Sequence, residues 1–388
     1  MSRLKILHII TRFIVGGAQE NTLLTCKGLM SRGHRVLLAT GPQTGPEGSL
    51  FEKAKADGVD IKIIPHMIRE INPFYDLLAY KELFDLIKHD NFNVVHTHSS
   101  KAGILGRIAA KKCGCPIIVH TIHGLAFHRF ENPVRNLLYK KLERYVGRFA
   151  DRIITVGDVM KQKALSAALA DENKFVTIYS GIELDEFLKI DEGSKSVRKR
   201  LGIPMDALVI GKIARLVELK GHNYIIKCAK EISDRFPNVY FLFIGGGYLK
   251  DKIKEQIKQM GLKQRFIFTG LVSPSDVPQL IGAMDMLVHT SLREGLPRTI
   301  PQALACGKPV VAFDIDGAGE IVQDGITGHL VKAEDTEGLC SRIIDLLKNS
   351  DLRKSMGQKG REFVKQRFDV RIMVDRIEEE YKKIVDSR

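Results

Sequence analysis

The segment SLREGLPRTIPQALACGKPVVAFDIDGAGEIVQDGITG, residues 291–328, decides the fold. A Gly/Pro-rich turn carries Glu294 into a stretch of helical period, and Gln302 follows eight positions later. An apolar strand, a Gly-rich turn (DGAGE, 316–320) and a second helix start come next. That is the strand–turn–helix rhythm of a parallel α/β sheet. A helix entered through such a turn presents unpaired backbone N–H groups, which suit a phosphate. Glu294 and Gln302 stand about two helical turns apart, so both side chains can face one ligand. The implied ligand is a nucleotide diphosphate at the helix tip, with a polar side chain toward each end.

The same rhythm extends in both directions. Strands are expected at 4–10, 35–40, 61–64, 93–97, 116–121 and 152–156, then at 207–213, 239–244, 266–269, 286–289, 309–313 and 329–331. Two such series predict two Rossmann-like domains of parallel sheet, with the break near YSGIELDEF (179–187). The division expected is 1–184, 185–364 and a terminal segment 365–388, whose Ile372, Ile377, Tyr381 and Ile384 recur at helical spacing.

Ligands of open α/β sheets bind beyond the carboxyl ends of the strands, and the chemically suggestive residues fall there. The first such turn, HIITRFIVGGAQENTLL (8–24), places Gly16 and Gly17 before a helix. It is not GxGxxG, and no acidic residue closes the second strand near position 40, so a dinucleotide site is not indicated. Two further turns are rich in histidine: HTHSSKAG (96–103) and HTIHGLAFH (120–128), the latter containing His120, His123 and His128. Metal ligation needs side chains that converge, and no acidic partner is spaced to help, so no metal is expected. GKIARLVELKG (211–221) puts Arg215 and Lys220 in one loop, either as a solvated basic pair or as two cations on one diphosphate. Each charge-assisted hydrogen bond of that kind is worth about 1.5–3 kcal/mol. IGGGYLKD (244–251), with Gly245 and Gly246, and TGLVS (269–273), with Leu271 and Val272, are further strand-end turns.

Composition bounds the setting. A chain of 388 residues, 44% apolar and 27% charged, has enough apolar material for two cores. No apolar run reaches the roughly 18 residues that span a bilayer, and KILHII is too short for a signal peptide. Six scattered cysteines form no disulfide framework, which suits a reducing cytoplasm. The net charge of +14 is concentrated between Lys101 and Arg152, where only Glu131, Glu143 and Asp151 oppose the cations. A solvated helix surface or an anionic membrane surface accounts for it. No recognition motif points to nucleic acid.

Taken together, the GGA turn followed by RGHRV (32–36), the R-x-x-x-x-K-G pattern at Arg215–Gly221 and the segment at 291–328 resemble the retaining GT-B glycosyltransferases of family four. The resemblance covers essentially the whole chain. It departs at one point: the family pattern is Glu, seven residues, Glu, and here the second Glu is Gln302. The resemblance implies a GT-B fold, two Rossmann-like domains facing across a cleft, with a C-terminal helix returning to the N-terminal domain. It also implies transfer from a nucleotide-diphosphate sugar, UDP-sugar favoured, to a lipid-linked or saccharide acceptor in cell-surface polysaccharide or glycolipid synthesis, such as lipopolysaccharide or capsule.

The same resemblance implies a front-face mechanism with no cofactor and no metal. Arg215 and Lys220 would stabilise the leaving diphosphate, Glu294 and His123 would meet the donor sugar, and Gly16 and Gly17 the donor phosphates or the acceptor. Gly245, Gly246, Leu271, Val272, Gly295, Leu296, Pro297 and Gln302 would contact the nucleotide. The expected location is cytoplasmic, peripheral on the inner face of the membrane. A sugar-nucleotide epimerase, a phosphorylase on the same fold, or a degenerate binding subunit are the alternatives. Gln302 is the only sequence support for the last.

Overall fold

The computed structural model of the chain describes residues 3–43, 48–190 and 195–388. It forms two compact units, Met1–Ile182 with Val370–Arg388, and Glu183–Asp369. The first divides from the second two residues before the expected break. The tail separates at 369/370 rather than at 364/365, because the helix Ser350–Lys365 still packs on the second unit. There a Cβ at Gly360 would run into Leu304, and one at Gly357 into the Gly307 backbone, so these glycines let the helix lie close against the second unit.

The first unit is a parallel sheet of seven strands: β1 (Lys5–Ile10), β2 (Arg35–Thr40), β3 (Asp60–Ile63), β4 (Val94–His98), β5 (Ile117–Ile122), β6 (Arg152–Thr155) and β7 (Phe175–Thr177). Their order is 3-2-1-4-5-6-7. The last strand, FVT, was not expected from the sequence. Three residues following a polar turn carry no readable period. β4 and β5 are buried along their whole length, so the histidines and threonines they contain must find partners inside the protein.

The terminal helix Val370–Asp386 completes this core with Met373, Val374, Ile377, Tyr381 and Ile384. Burying each of its large apolar side chains contributes about 1.5–3 kcal/mol. The helix also makes polar contacts in the first unit, His34 Nε2 lying 3.1 Å from Glu378 Oε1 and Arg32 pairing with Asp375.

The second unit is a six-stranded parallel sheet: β8 (Leu208–Ile213), β9 (Val239–Ile244), β10 (Phe266–Gly270), β11 (Met286–His289), β12 (Val310–Asp314) and β13 (Gly328–Lys332), in the order 10-9-8-11-12-13. Phe241 and Phe266 stack at 4.4 Å across neighbouring strands and anchor one end of its core. All six cysteines are free thiols. No described helix is long and apolar enough to cross a membrane.

Candidate functional site

In the second unit the strand order reverses at β8: β9 and β10 lie to one side, β11 to β13 to the other. The loops leaving β8 and β11 therefore diverge, which opens a crevice at the carboxyl edge of the sheet. Lys220 comes from the first loop and Glu294 from the second. Their side chains meet with Nζ 2.5 Å from Oε1. Backbone hydrogen bonds lace the neighbouring loops together: Leu216 N–H to the Gly246 carbonyl at 2.8 Å, Gly245 N–H to Gly270 at 3.0 Å, and Leu292 N–H to Leu219 at 2.8 Å. Two glycines are required by this lacing. Gly221 (φ 63) and Gly245 (φ 132) hold conformations that side chains disfavour, and a Cβ on either would strike a carbonyl oxygen, of Thr290 or Ala214.

The pair rests on a buried polar column. Lys212, only 1% exposed, donates from Nζ to Thr290 Oγ1 at 2.7 Å, and that hydroxyl donates to the Gly221 carbonyl at 2.7 Å. Burial, then the neighbouring Lys220 charge, lowers the Lys212 ammonium from 10.5 to about 7, against the opposing pull of Glu294. For Glu294 burial acts upward, but Lys220 and then His289 outweigh it and hold the carboxyl well below the usual range. His289 Nε2 lies 3.5 Å from Glu294 Oε1. The backbone of Glu294 is fixed in turn by Asp316, whose Oδ2 accepts its N–H at 2.6 Å. Glu294 is thus held as an anion beside Lys220. Added donors from Lys220 remain available in kind for a phosphate, since an ammonium carries three.

Arg215 follows β8 directly and is exposed, its carbonyl accepting the His222 Nε2–H at 2.9 Å. Gly246 lies between the β9 and β10 ends, Leu271 (exposed) and Val272 just past β10, and Gly295, Leu296 and Pro297 in the turn beyond Glu294. Gln302 is half-buried on the short helix Thr299–Ala305. The continuous two-turn spacing expected between Glu294 and Gln302 does not hold: Glu294 precedes that helix by five residues. Pro297 disfavours helical backbone at Leu296, so the segment stays irregular until Thr299. Proline at 301 is tolerated because it falls within the first turn.

The first unit reverses between β1 and β4. Gly16 caps and Gly17 begins the helix Gly17–Ser31 after β1, Ser99 follows β4, and His123 follows β5. Ser99 Oγ binds the Thr11 hydroxyl at 2.8 Å and tethers two of these loops. A cavity of about 260 Å³ lies here, lined among others by Ala18, Ser99, Ser100, His123 and Glu143. Glu143 receives the fully buried Arg107 at 2.6 Å.

Beneath the cavity stand His8, His96 and His98, all buried. His98 Nε2 lies 2.9 Å from His8 Nδ1, and His98 Nδ1 3.0 Å from His123 Nε2. Burial lowers His8 to about 3, and His96, His98 and His120 well below their ordinary range. The ligand atoms of His8, His96 and His98 fall within 4.8 Å of one another. Both His96 nitrogens are already engaged, however, by Tyr381 OH at 2.6 Å and Thr121 Oγ1 at 2.7 Å.

Sequence reasoning missed His8, Lys212, His289 and Asp316. Two of them carried a signal, a polar residue standing alone in an apolar strand: His8 in KILHII and Lys212 in VIGKIA. The structure places His123, Gly16 and Gly17 in the first unit and every other expected site residue in the second.

Residues 15–186 match the family described as Glycosyltransferase Family 4, and residues 194–363 that described as Glycosyl transferases group 1. The chain is 28% identical over 383 residues to the UDP-Gal:alpha-D-GlcNAc-diphosphoundecaprenol alpha-1,3-galactosyltransferase of Escherichia coli, spanning 98% of this chain and 97% of that protein. It is 28% identical to the capsular polysaccharide biosynthesis glycosyltransferase CapM of Staphylococcus aureus, spanning 84% of this chain and 88% of that one. Among solved structures, Anabaena Alr3699/HepE in complex with UDP-glucose superposes with a TM-score of 0.84 at 23% identity, covering 98% of this chain and all of that one. This last likeness shows the fold.

Proposed function

Because the chain belongs to the glycosyltransferases of family 4 and group 1, with a fold of the GT-B type, we propose that it moves a sugar from a UDP-sugar to a lipid-linked acceptor with retention of anomeric configuration. The single observation that carries this reading is the Lys220–Glu294 pair at the strand-order reversal of the second unit. A cation and an anion held at that crevice answer the two ends of a nucleotide sugar's reactive part. The cation meets the diphosphate, and the carboxylate accepts hydrogen bonds from sugar hydroxyls. UDP as the nucleotide is supported by the name of the Escherichia coli relative and by the UDP-glucose in the Anabaena structure. The lipid diphosphate acceptor rests on that same relative, which matches along nearly its whole length.

The mechanism proposed is front-face displacement. As the bond from the anomeric carbon to the diphosphate oxygen breaks, the departing phosphate takes the proton of the acceptor hydroxyl, which attacks from the same side. Negative charge grows on the diphosphate, and Lys220 and Arg215 stabilise it. Glu294 is already fixed by Lys220 and Asp316, so it needs no reorganisation when positive charge develops on the sugar. With two cations meeting the diphosphate, no metal is required.

An anionic membrane surface is the proposed partner of the first unit. The helix Pro133–Gly147 exposes Val134 (75%), Leu137 (55%) and Leu138 (49%) among Arg135, Lys140 and Lys141. Apolar side chains beside cations suit the headgroup boundary of an anionic bilayer. The basic stretch is narrower than its sequence: Lys101 pairs with Asp76 at 2.5 Å, Arg107 with Glu143, and Arg144 donates to the carbonyls of Ala167 and Ala168. Peripheral attachment of this kind places the enzyme on the inner face of the cytoplasmic membrane, where lipid-linked acceptors for surface glycans such as capsule are built.

Thermal-shift screening against nucleoside diphosphates tests the donor side: UDP should raise the melting temperature more than GDP at equal concentration. An equal response to both, or none to either, contradicts the UDP reading. Vesicle sedimentation tests the surface. Binding to anionic vesicles should weaken with salt and disappear when Lys111, Lys112, Lys140 and Lys141 are changed to Glu; equal binding to neutral vesicles contradicts it.

A further inference from the structure

The second unit has a cavity at the edge of its sheet opposite the crevice. Asp285 directly precedes β11 and Lys308 stands two residues before β12, so the cavity they line opens where those strands begin. Glu294 lies beyond the other end of β11. A strand of four residues puts about 13 Å between the two edges. The cavity holds about 260 Å³, and its lining includes Lys195, Arg198, Asp285, Lys308, Arg353 and Lys354. One water takes up about 30 Å³, so a phosphate group and part of whatever carries it can enter.

Asp285 is the single carboxylate among the described lining residues, and it is engaged inside the protein. Its Oδ2 accepts from Arg198 Nη2 at 3.0 Å and from the Val209 N–H at 2.7 Å. Arg198 is engaged with it: Nε and Nη1 donate to the carbonyls of Ala283, Met205 and Ala207. These contacts account for the pair as part of the scaffold. They leave Arg353, Lys195 and Lys354 without an account.

Arg353 is half-buried, and its Nη1 donates to the carbonyls of Leu346 and Leu347. A guanidinium has five N–H donors. Among the described residues those on Nε and Nη2 meet no acceptor. Clamped on one side, this planar group offers the rest of its fork at a fixed angle, which suits the oxygens of a phosphate. Lys195 and Lys354 are exposed and make no hydrogen bond or ion pair among the described residues. Elsewhere in this unit Lys230, Arg235 and Lys258 pair along their own helices with Asp234, Glu231 and Glu255. Here three cations line one concavity that offers them no carboxylate, and a concave wall focuses their field. Ser350, on the same wall, opens the helix Ser350–Lys365, whose dipole has the same sign there.

We propose that this cavity binds a phosphoryl dianion at a site separate from the crevice, with Arg353 as the fixed fork and Lys195 and Lys354 as the flexible cations that close on it. A carboxylate would answer one of the three charges, whereas a phosphate monoester brings up to two negative charges and three acceptor oxygens. A soluble phosphorylated molecule and a lipid headgroup both present that group. The site draws on none of the residues assigned to the sugar nucleotide.

The test uses the full-length protein with its methionine methyl groups labelled for NMR. Met205 lines the cavity and is exposed, so its methyl signal, identified by its loss in Met205→Leu, reports on this site. Inorganic phosphate, titrated against chloride at constant ionic strength, should move that signal to a plateau. Changing Lys195 and Lys354 together to Ala should weaken the apparent affinity about tenfold or more, as loss of charge-assisted hydrogen bonds does. Lys220→Ala, at the crevice, should leave it unchanged. Both lysines are exposed, so replacing them empties no core, and the other methionine signals check the fold. A wild-type signal that does not saturate overturns the proposal. So does an affinity indifferent to the two lysines, or one lost with Lys220. Glycerol 3-phosphate and phosphatidic-acid vesicles then separate the sources. Competition by the first alone assigns a soluble ligand, and sedimentation with the second that needs both lysines assigns a headgroup. If neither acts, phosphate binds there only as a bare ion and the proposal falls. Absence of UDP binding would sink the glycosyltransferase reading without touching the Met205 signal.

Discussion

The two units share one topology and fill its reversal point with opposite chemistry. In the first, the strands on either side of the reversal carry His8, His96 and His98, all buried and all held neutral. The fully buried Arg107 there is closed off by Glu143. In the second, the same place holds Lys220 against Glu294, with Lys212 beneath them. A parallel sheet supplies only the crevice; the residues supply its electrostatics. A charged crevice suits a diphosphate, and a neutral, hydrogen-bonding one suits a hydroxylated partner.

The largest effect expected from breaking this contrast lies in the first unit. Glu143→Ala leaves the Arg107 guanidinium buried and unpaired, which should cost about 3–5 kcal/mol of stability, read from urea denaturation. A loss under 1 kcal/mol would mean that the charge finds water, and the first unit would no longer count as the neutral one. Next comes the charged crevice itself. Lys220→Ala or Arg215→Ala should lower turnover by about two to three orders of magnitude, the usual result of removing a preorganised charge contact. Near wild-type activity in both variants would reject their assignment to the diphosphate. Glu294→Gln separates roles within the pair: calorimetry should show UDP still binding while most transfer is lost. A parallel fall in both would make Glu294 a nucleotide anchor only.

Lys212 allows the contrast to be sharpened by pH. The folded protein releases this proton near pH 7, whereas the unfolded chain keeps it to about 10.5. Between those values the unfolded state binds more protons, so stability should rise with pH across that window. Lys212→Met should remove that rise relative to wild type. Identical pH profiles in the two proteins would place Lys212 in contact with solvent. The smallest effect belongs to Gln302. Gln offers one acceptor and one donor where Glu offers only acceptors, so Gln302→Glu should change UDP affinity by about 1–2 kcal/mol or less and barely alter saturated turnover.

The sequence showed the contrast only in part. Strand positions were legible because the runs buried on both faces are nearly all apolar, and the β8 and β11 loops because charged residues beside glycines interrupt that pattern. Glu294 drew notice this way, whereas Arg215 and Lys220 read equally as a solvated basic pair until the family resemblance gave them a role. β7 drew none, being too short to show a period. His8 and Lys212 were hidden for a different reason. Each is a single polar residue within a strand, and its meaning depends on a partner 90 or 78 positions away. The register of β1 against β4, which sets His8 opposite His96, brings the first of these together, and no local window contains that register. The irregular turn between Glu294 and Thr299 was misjudged because helical spacing was extended through Pro297.

The most direct measurement is product analysis of the wild-type protein, incubated with a panel of UDP- and GDP-sugars and a sugar-diphospholipid acceptor, by mass spectrometry and by the anomeric coupling of the product. The expected result is transfer from a UDP-sugar, with the α configuration of the donor retained. No transfer from any donor, joined by activity on changing Gln302 to Glu, would contradict it and make the natural chain a binding subunit.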